Sequence, residues 1–308
     1  MDNENMASTL HAKPFCSAYG RIADALHTPR TSGNLSNSRQ QLATLDPLQF
    51  DKPVFWETGQ ILRIGFFDGT PFQRAEVKKH ANGWCKWANL KFEVVAQAPY
   101  DIYISFKSGS SWSLLGTLSL ESSRASPPDP SMNLGWIPEK PGVPDKHYRP
   151  TILHEFGHAL GLTHEHQNYT EAWKWNMQAV YDYFAEEPNK WDPDTVDCNV
   201  FRVCKGKLLR KHFLDRESIM LYAFPKQLFT DGEGTSENYE LSDMDKAAML
   251  VRYPGRDPGG YKKTVAMMSD KDGEFFIMRS CMGMEEDPVR LANSAVVGDW
   301  WPLGTSAS

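Results

Sequence analysis

The sequence predicts a mixed α/β (α+β) domain in which a twisted mixed sheet with packed helices precedes a less regular, helical half. Three observations support this fold class. A strand-like run at residues 60–67 is followed by a helix with a clear start, and two further strand-like runs lie at 90–95 and 101–106. This β-α-β order favours a mixed sheet with a right-handed crossover. Beyond residue 164 the pattern becomes less regular and contains helical stretches.

The first helix is predicted from its start signal. Thr70 offers an N-cap, with Pro71 at the first helical position and Gln73 three residues after the cap. Apolar residues then recur at helical spacing, so we expect the helix to pack on the sheet. These residues are Val77, Ala81, Trp84 and Ala88.

The segment between the sheet and the histidine-rich helix is predicted to contain loops and short strands. Residues 108–113 are interpreted as a polar loop and 116–120 as an edge strand, while 132–136 is predicted to be a short buried strand. A proline-rich link ending at Pro150 then leads into the histidine-rich helix.

Two helices are predicted in the second half. Residues 175–187 carry an apolar stripe at helical spacing, interpreted as core, formed by Met177, Val180, Tyr181 and Phe184. Ser242 is the expected N-cap of the last helix. The carboxylate of Asp245, in the first turn, interacts favourably with the positive N-terminal end of the helix dipole. This helix is expected to end near Tyr253.

The stretch HEFGHALGLTH, residues 154–164, has the composition and spacing of a metal site. His154 and His158 are four residues apart and therefore lie one turn apart on the same helix face. Their imidazole nitrogens suit zinc, which they bind at ~2.0–2.1 Å. Gly161 is expected to end the helix in a left-handed conformation, which lets the chain return with His164 as third ligand. Three protein ligands leave one position for water, as in catalytic sites.

Glu155 is the candidate general base. It lies about 100° round the helix from its histidine neighbour, beside the metal position rather than on it. A carboxylate placed there suits proton transfer from a metal-bound water. His166 is interpreted as lying beside the site or at the surface rather than as a ligand. The opposite helix side is apolar and predicted to face the core, through Ile152, Leu153, Phe156, Ala159 and Leu160.

A second segment, DRESIMLYAF at residues 215–224, supports the metal site. A short turn carrying Met220 would supply a soft, apolar floor beneath the metal. The extended histidine motif with a downstream methionine turn is the metzincin signature.

HEFGHALGLTHEH and SIMLY together resemble the metzincin-clan zinc metalloproteases, and most of all a microbial branch of the astacin-type peptidases. In that group a tyrosine lies two residues after the turn methionine, matching Tyr222, and an acidic residue follows the third histidine, matching Glu165. The group usually has histidine where this chain has Leu221. The resemblance covers about residues 51–254 and extends to the segments GTPFQRAEV, SSWSLLGT, SMNLGW and LSDMDKAAM.

The resemblance implies a metzincin-like zincin fold, with the sheet and two packed helices above a cleft and an irregular helical half below. It implies a zinc-dependent endopeptidase that acts on protein or peptide substrates with one catalytic Zn²⁺ ion. Tyr222 would ligate zinc at rest and hydrogen-bond the oxyanion during reaction. The strand at 116–120 would border the cleft and pair with the extended substrate backbone.

Domain organisation follows from composition. Residues 1–50 are polar and are interpreted as disordered or as a pro-region, 51–254 as the catalytic domain, and 255–308 as an extension of unknown role. Cys16 is interpreted as a free thiol, because its surroundings do not resemble a known cysteine-switch motif. Cys198 and Cys204 can close a small disulfide loop, but five cysteines do not form a full paired framework.

Charge and hydropathy exclude several partners. A net charge of −6 and a pI near 5.9 argue against nucleic acid or an anionic membrane as partner. No apolar run approaches the ~18–20 residues needed to cross a bilayer. The first residues lack the basic start and apolar segment of a secretory signal, although similar proteases are commonly exported, so the compartment stays open. The oligomeric state is likewise open.

Two alternatives remain at this point. A matrixin-like protease also has the histidine motif, but the SIM-x-Y turn argues against it. A metal-dependent binding module or inactive homologue is the second alternative. Glu155 argues against that one, because a site used only for binding has no need of a base.

Overall fold

A five-stranded sheet forms the first half of the structure. The computed structural model describes residues 54–167, 173–202 and 214–256, together with the backbone of strands at 265–269 and 275–279. In the sheet the strand order is β2-β1-β3-β5-β4; all neighbours are parallel except β4, which runs antiparallel to β5 at one edge. The mixed sheet is therefore confirmed. Its strands are β1 (Ile61–Phe66), β2 (Lys91–Val94), β3 (Ile102–Ser105), β4 (Ser111–Ser113) and β5 (Met132–Leu134).

Helices pack beside the sheet and form most of the regular structure in the second half. Short 3₁₀ turns link them, including residues 84–86, 116–118, 165–167 and 226–228, and a π-type turn covers residues 197–201. Within the described ranges the α-helices are α1 (Pro71–Ala81), α2 (Ser119–Ser123), α3 (Arg149–Ala159), α4 (Met177–Ala185), α5 (Pro193–Val196) and α6 (Asp243–Arg252).

The predicted starts of α1 and α6 are confirmed. At α1 the Thr70 side chain accepts from the Gln73 backbone N–H, and the Gln73 side chain accepts from the Thr70 N–H, forming a capping box. Ser242 and Asp245 form the same device at α6. Helix α1 ends at Ala81, earlier than the apolar spacing indicated, and the later residues of that stripe lie in a 3₁₀ turn and a loop. All four stripe residues are nevertheless buried.

The predicted edge strand at 116–120 is wrong. Residues 116–118 form a 3₁₀ turn that leads into α2, while the polar run interpreted as a loop contains the actual edge strand, β4. Hydrogen bonds made by residues 116–119, some of them to distant parts of the chain, explain the difference. Gly116 has a φ of +46°, Thr117 N–H donates to the Val54 carbonyl, and the Ser119 hydroxyl lies within donating distance of two carbonyls, that of Gly116 at 2.7 Å and that of Asp101 at 2.9 Å. Serine side chains that bond backbone carbonyls favour turns over strands.

Two apolar clusters stabilise the two halves. The upper cluster lies between the sheet, α1 and α3 and includes Trp84 and Phe156; the lower cluster surrounds α4 and includes Phe184 and Phe224. The stripe predicted for α4 is confirmed at Val180 and Phe184, whereas Met177 at the helix start is 47% exposed.

Several predicted features lie outside the described residues or close to the ends of the described ranges. The proposed pro-region, Cys16 and Cys204 lie outside the described residues. Cys198 is a free thiol in the part of the chain that is described. Strands β6 (Val265–Ser269) and β7 (Phe275–Arg279) pair antiparallel in the extension, where the sequence offered no motif. None of the helices in the described ranges combines the length and apolarity that a bilayer crossing requires.

Candidate metal centre

Helix α3 presents the histidine motif, and side chains from distant elements hold its C-terminal end. The Trp56 indole donates to the Ala159 carbonyl at 2.7 Å, and the Tyr253 hydroxyl donates to the Leu160 carbonyl at 2.8 Å. These donors satisfy carbonyls that a helix end leaves without intrahelical partners. Gly161 follows with a φ of +95°, which confirms the predicted helix stop.

The turn after α3 brings three histidines together. The Nε2 atom of His158 lies 3.1 Å from Nε2 of His154 and 3.1 Å from Nε2 of His164. Two zinc ligands at ~2.0–2.1 Å in tetrahedral geometry are about 3.3–3.4 Å apart, so the observed spacing fits one such ion. Within the described residues, the three side chains form a group able to hold a metal.

Backbone carbonyls determine which nitrogen of each ring carries the proton. Nδ1 of His154 lies 2.8 Å from the Ile219 carbonyl, and Nδ1 of His158 lies 2.8 Å from the Leu162 carbonyl. A carbonyl only accepts, so each neutral ring is protonated at Nδ1 and carries a lone pair on Nε2. The facing lone pairs repel each other unless a cation lies between them. The chemistry of this donor set therefore fits zinc.

Burial keeps these rings neutral. It lowers the pKa of His154 to about 4, since the charged form loses hydration. Burial and the neighbouring histidines lower the pKa values of His158 and His164 well below the ordinary value. Neutral imidazole is the form that binds metal, so the triad is ready for a cation at neutral pH.

Glu155 and Tyr222 both lie at this site. Glu155 is fully buried on α3, and it lines a cavity of about 310 Å³ together with His154 and Tyr222. The Tyr222 ring is buried, with its centroid 4.3 Å from that of His164 and 5.9 Å from that of His154. The structure thus brings together the residues for which the sequence analysis expected catalytic roles.

The turn that carries Met220 packs directly against α3. Met220 is buried, and a Cβ atom added at Gly157 would lie 2.4 Å from its sulfur. The Met220 carbonyl accepts from the Glu165 N–H at 3.0 Å, and the Glu165 carboxylate accepts from the Asp215 N–H at 2.9 Å. The acidic residue after the third histidine therefore connects the metal motif to the start of the methionine turn.

His166 is buried rather than at the surface, so one of the two positions expected for it is wrong. Its Nε2 lies 2.8 Å from the Asn199 carbonyl, and its ring stacks on Tyr222 at a centroid distance of 4.6 Å. It lies outside the three-histidine group. Its ring also contacts Phe224 of the lower cluster, at a centroid distance of 5.0 Å.

The sequence did not predict the other residues that line the cavity. They include Trp136, Lys146, His147 and the segment 237–239, besides Leu221 from the methionine turn. These residues are scattered along the chain and several are exposed, so no spacing pattern marks them. Among these wall residues the sequence marked only Leu221, as a departure from the family's usual turn.

Comparison with known proteins shows that this chain is similar to solved structures of myroilysin. One is 34% identical with a TM-score of 0.60, and the match covers 66% of this chain and 96% of that chain. A crystal structure of myroilysin is also 34% identical, with a TM-score of 0.51, covering 66% of this chain and 86% of that chain. The zinc-protease high choriolytic enzyme 1, a hatching enzyme from the medaka fish Oryzias latipes, is 16% identical with a TM-score of 0.45, covering 74% of this chain and 100% of that chain. No protein-family model and no curated protein matches.

The contact between Met220 and Gly157 predicts an unusual effect of substitution. Gly→Ala within a helix normally stabilises by about 0.5–1 kcal/mol. Gly157→Ala should instead destabilise by about 1–2 kcal/mol, because the added methyl overlaps the sulfur of Met220 in a packed core. Urea denaturation measures the change. Adding Met220→Ala should make Gly157→Ala less costly than it is alone; a Gly157→Ala protein more stable than wild type would contradict the contact.

The metal-free protein should lose stability in acid. Burial lowers the pKa of His154 to about 4 and that of His166 to about 3. Both values lie below the unfolded value of ~6.5, so their stabilisation is present above pH 6.5 and is lost as pH falls towards 4. We expect about 2 kcal/mol less stability at pH 5 than at pH 7 for each histidine. Urea denaturation of chelator-treated protein at both pH values measures this, and His166→Phe should show a smaller difference. Equal stability at the two pH values would contradict the prediction.

Proposed function

The chain belongs to the astacin-type zinc metalloproteases of the metzincin clan, and from this premise we propose a specific catalytic role for each residue of the centre. It is a zinc metalloendopeptidase with protein or peptide substrates. We propose that His154, His158 and His164 hold the zinc ion. Glu155 acts as the general base, and Tyr222 stabilises the oxyanion.

The observation that supports the proposal most strongly is that the lone pairs on Nε2 of His154 and Nε2 of His158 face each other. His154 and His158 each donate through Nδ1 to a carbonyl, so their Nε2 atoms meet at 3.1 Å without a proton between them. Folding would not favour this contact in the absence of a cation. These histidines would hold zinc, which would supply Lewis-acid chemistry by polarising the scissile carbonyl and lowering the pKa of a water towards ~7.

Glu155 suits the transfer of a proton. We propose that its carboxylate takes a proton from the attacking water and delivers it to the leaving amine of the cleaved peptide. Its position on a rigid helix next to His154 supports this role, since proton transfer requires a group held within hydrogen-bond reach. Its burial beside a cavity keeps bulk water from competing for the carboxylate.

Tyr222 suits the stabilisation of negative charge. We propose that, with zinc bound, its hydroxyl would ligate the ion at rest and would donate a hydrogen bond to the oxyanion during reaction. Stacking on His166 and proximity to His164 support the proposal, because a ring packed on two sides holds its hydroxyl without further ordering cost. The hydroxyl then acts mainly on the transition state, where the charge exists.

The proposed catalytic domain spans residues 51–254. The match to myroilysin over 66% of the chain supports a unit of this size. The cavity beside Glu155 and Tyr222 is the part of the proposed cleft that would receive substrate, with Trp136 and Tyr239 as aromatic walls.

Substitution of the base tests the proposed mechanism. Glu155→Gln should keep one equivalent of zinc and the native fold, but lose roughly 10²–10⁴-fold in peptide hydrolysis, the usual contribution of a positioned proton-transfer group. Steady-state kinetics with elemental analysis measure both. His158→Ala should lose zinc as well as activity. Near-normal turnover of Glu155→Gln would remove that residue from the role of base, and absence of hydrolysis by wild type would indicate an inactive homologue.

The tyrosine is tested by the removal of one oxygen. Tyr222→Phe should lower kcat by roughly 10–10³-fold and change KM little, since the lost hydrogen bond forms in the transition state. Zinc content should stay the same, because the histidines remain. Tyr239→Phe is the matched control, as this tyrosine lines the same cavity and its hydroxyl bonds Glu237. An unchanged kcat in Tyr222→Phe would leave the ring with a packing role only.

A further inference from the structure

A single buried carboxylate from α6 holds the methionine turn. Asp245 is 5% exposed. Its Oδ1 accepts from the Ser218 hydroxyl at 2.7 Å, and its Oδ2 accepts from the N–H groups of Ile219 and Ser242 at 2.8 and 2.9 Å. Burial raises the pKa of this carboxyl to about 6, so it is largely ionised at neutral pH and acts only as an acceptor.

Ser218 and Ile219, two of the residues that donate to Asp245, make further hydrogen bonds on the side of the metal centre. The Ser218 hydroxyl oxygen accepts from the Met220 N–H at 3.0 Å. The Ile219 carbonyl accepts from Nδ1 of His154 at 2.8 Å. Ile219 is therefore held on both sides: Asp245 binds its N–H, and its carbonyl sets the tautomer and ring orientation of His154.

Helix capping alone does not account for this arrangement. The capping box of α6 needs only the exchange between Ser242 and Asp245. The other two bonds of the carboxylate reach residues 26 and 27 positions earlier in the chain. A capping carboxylate can remain in solvent, whereas this one is buried, which is costly unless its hydrogen bonds compensate.

We propose that Asp245 is a positioning residue of the zinc centre: it fixes residues 218–220 of the methionine turn so that the Ile219 carbonyl directs Nε2 of His154 towards the metal. The inference rests on the proposed ligand role of His154. It goes further, because it assigns part of the metal affinity to a helix that contributes no ligand.

Asp245→Asn in the full chain is the direct test, since the amide has the shape of the carboxylate. The amide nitrogen cannot accept, so at least one of the three donors loses its acceptor. We expect zinc affinity to fall about 10-fold, the lower end of the range for groups that orient metal ligands. Competition with a chromophoric chelator measures it. Asp243→Asn is the matched control, because Asp243 lies in the same helical turn and pairs with Lys246 at 3.2 Å; its zinc affinity should equal that of wild type.

A second measurement separates positioning from loss of stability. In the cobalt-substituted protein the visible absorption spectrum reports the geometry of the ligands. Asp245→Asn should change this spectrum in protein that circular dichroism shows to be folded, and Asp243→Asn should not. Native zinc affinity together with a native cobalt spectrum in folded Asp245→Asn would overturn the inference.

Ser218→Ala keeps the test decisive if Asp245→Asn does not fold. This variant removes the donor to Oδ1 and the acceptor of the Met220 N–H, but leaves the carboxylate and its two backbone bonds in place. We expect the same direction of change in cobalt spectrum and zinc affinity; native values for both would overturn the inference. Full zinc binding by His154→Ala would instead contradict the proposed ligand set, which distinguishes the two failures.

Discussion

Two imidazole nitrogens that face each other with unprotonated lone pairs are the constraint on which the rest of the site depends. The contact between His154 and His158 is unfavourable without a cation, yet backbone carbonyls enforce it by holding the opposite nitrogens as donors. Those carbonyls belong to Ile219 and Leu162, so the turn at 218–222 and the turn after α3 must both be in place. Metal affinity is therefore a property of two turns as well as three side chains.

The methionine turn has a second function, which is to join the two halves. Ile219 and Met220 pack in the upper apolar cluster, whereas Tyr222, two residues later, packs in the lower one. The cavity beside the histidines has a residue of each cluster in its wall, Ile219 from the upper one and Tyr222 from the lower one. A change in either core is thus transmitted to the metal centre through a few residues, because well-packed cores resist local deformation.

The sequence predicted what depends on local spacing and local hydrogen bonds. The capping boxes at Thr70 and Ser242, the helical histidine pair and the glycine stop were correct, because each involves residues within a few positions of one another. Strand and turn were exchanged between 108 and 120, where short polar runs have no clear periodicity. There the outcome depended on serine hydroxyls and on a carbonyl more than 60 positions away, that of Val54.

By itself, the sequence determined the chemistry of this protein: a zinc protease motif on a helix, a glutamate beside it, and a turn carrying methionine and tyrosine. Spacing along one helix is sufficient for His154, His158 and Glu155, since the helix converts it directly into geometry, whereas the turn was identified by its resemblance to the astacin-type SIM-x-Y segment. Only the tertiary structure decided which atoms orient those residues. The Ile219 carbonyl meets a histidine 65 positions away, and Asp245 meets Ile219 across 26 positions. Such contacts leave no periodic pattern, because packing between elements, and not the local backbone, brings the partners together.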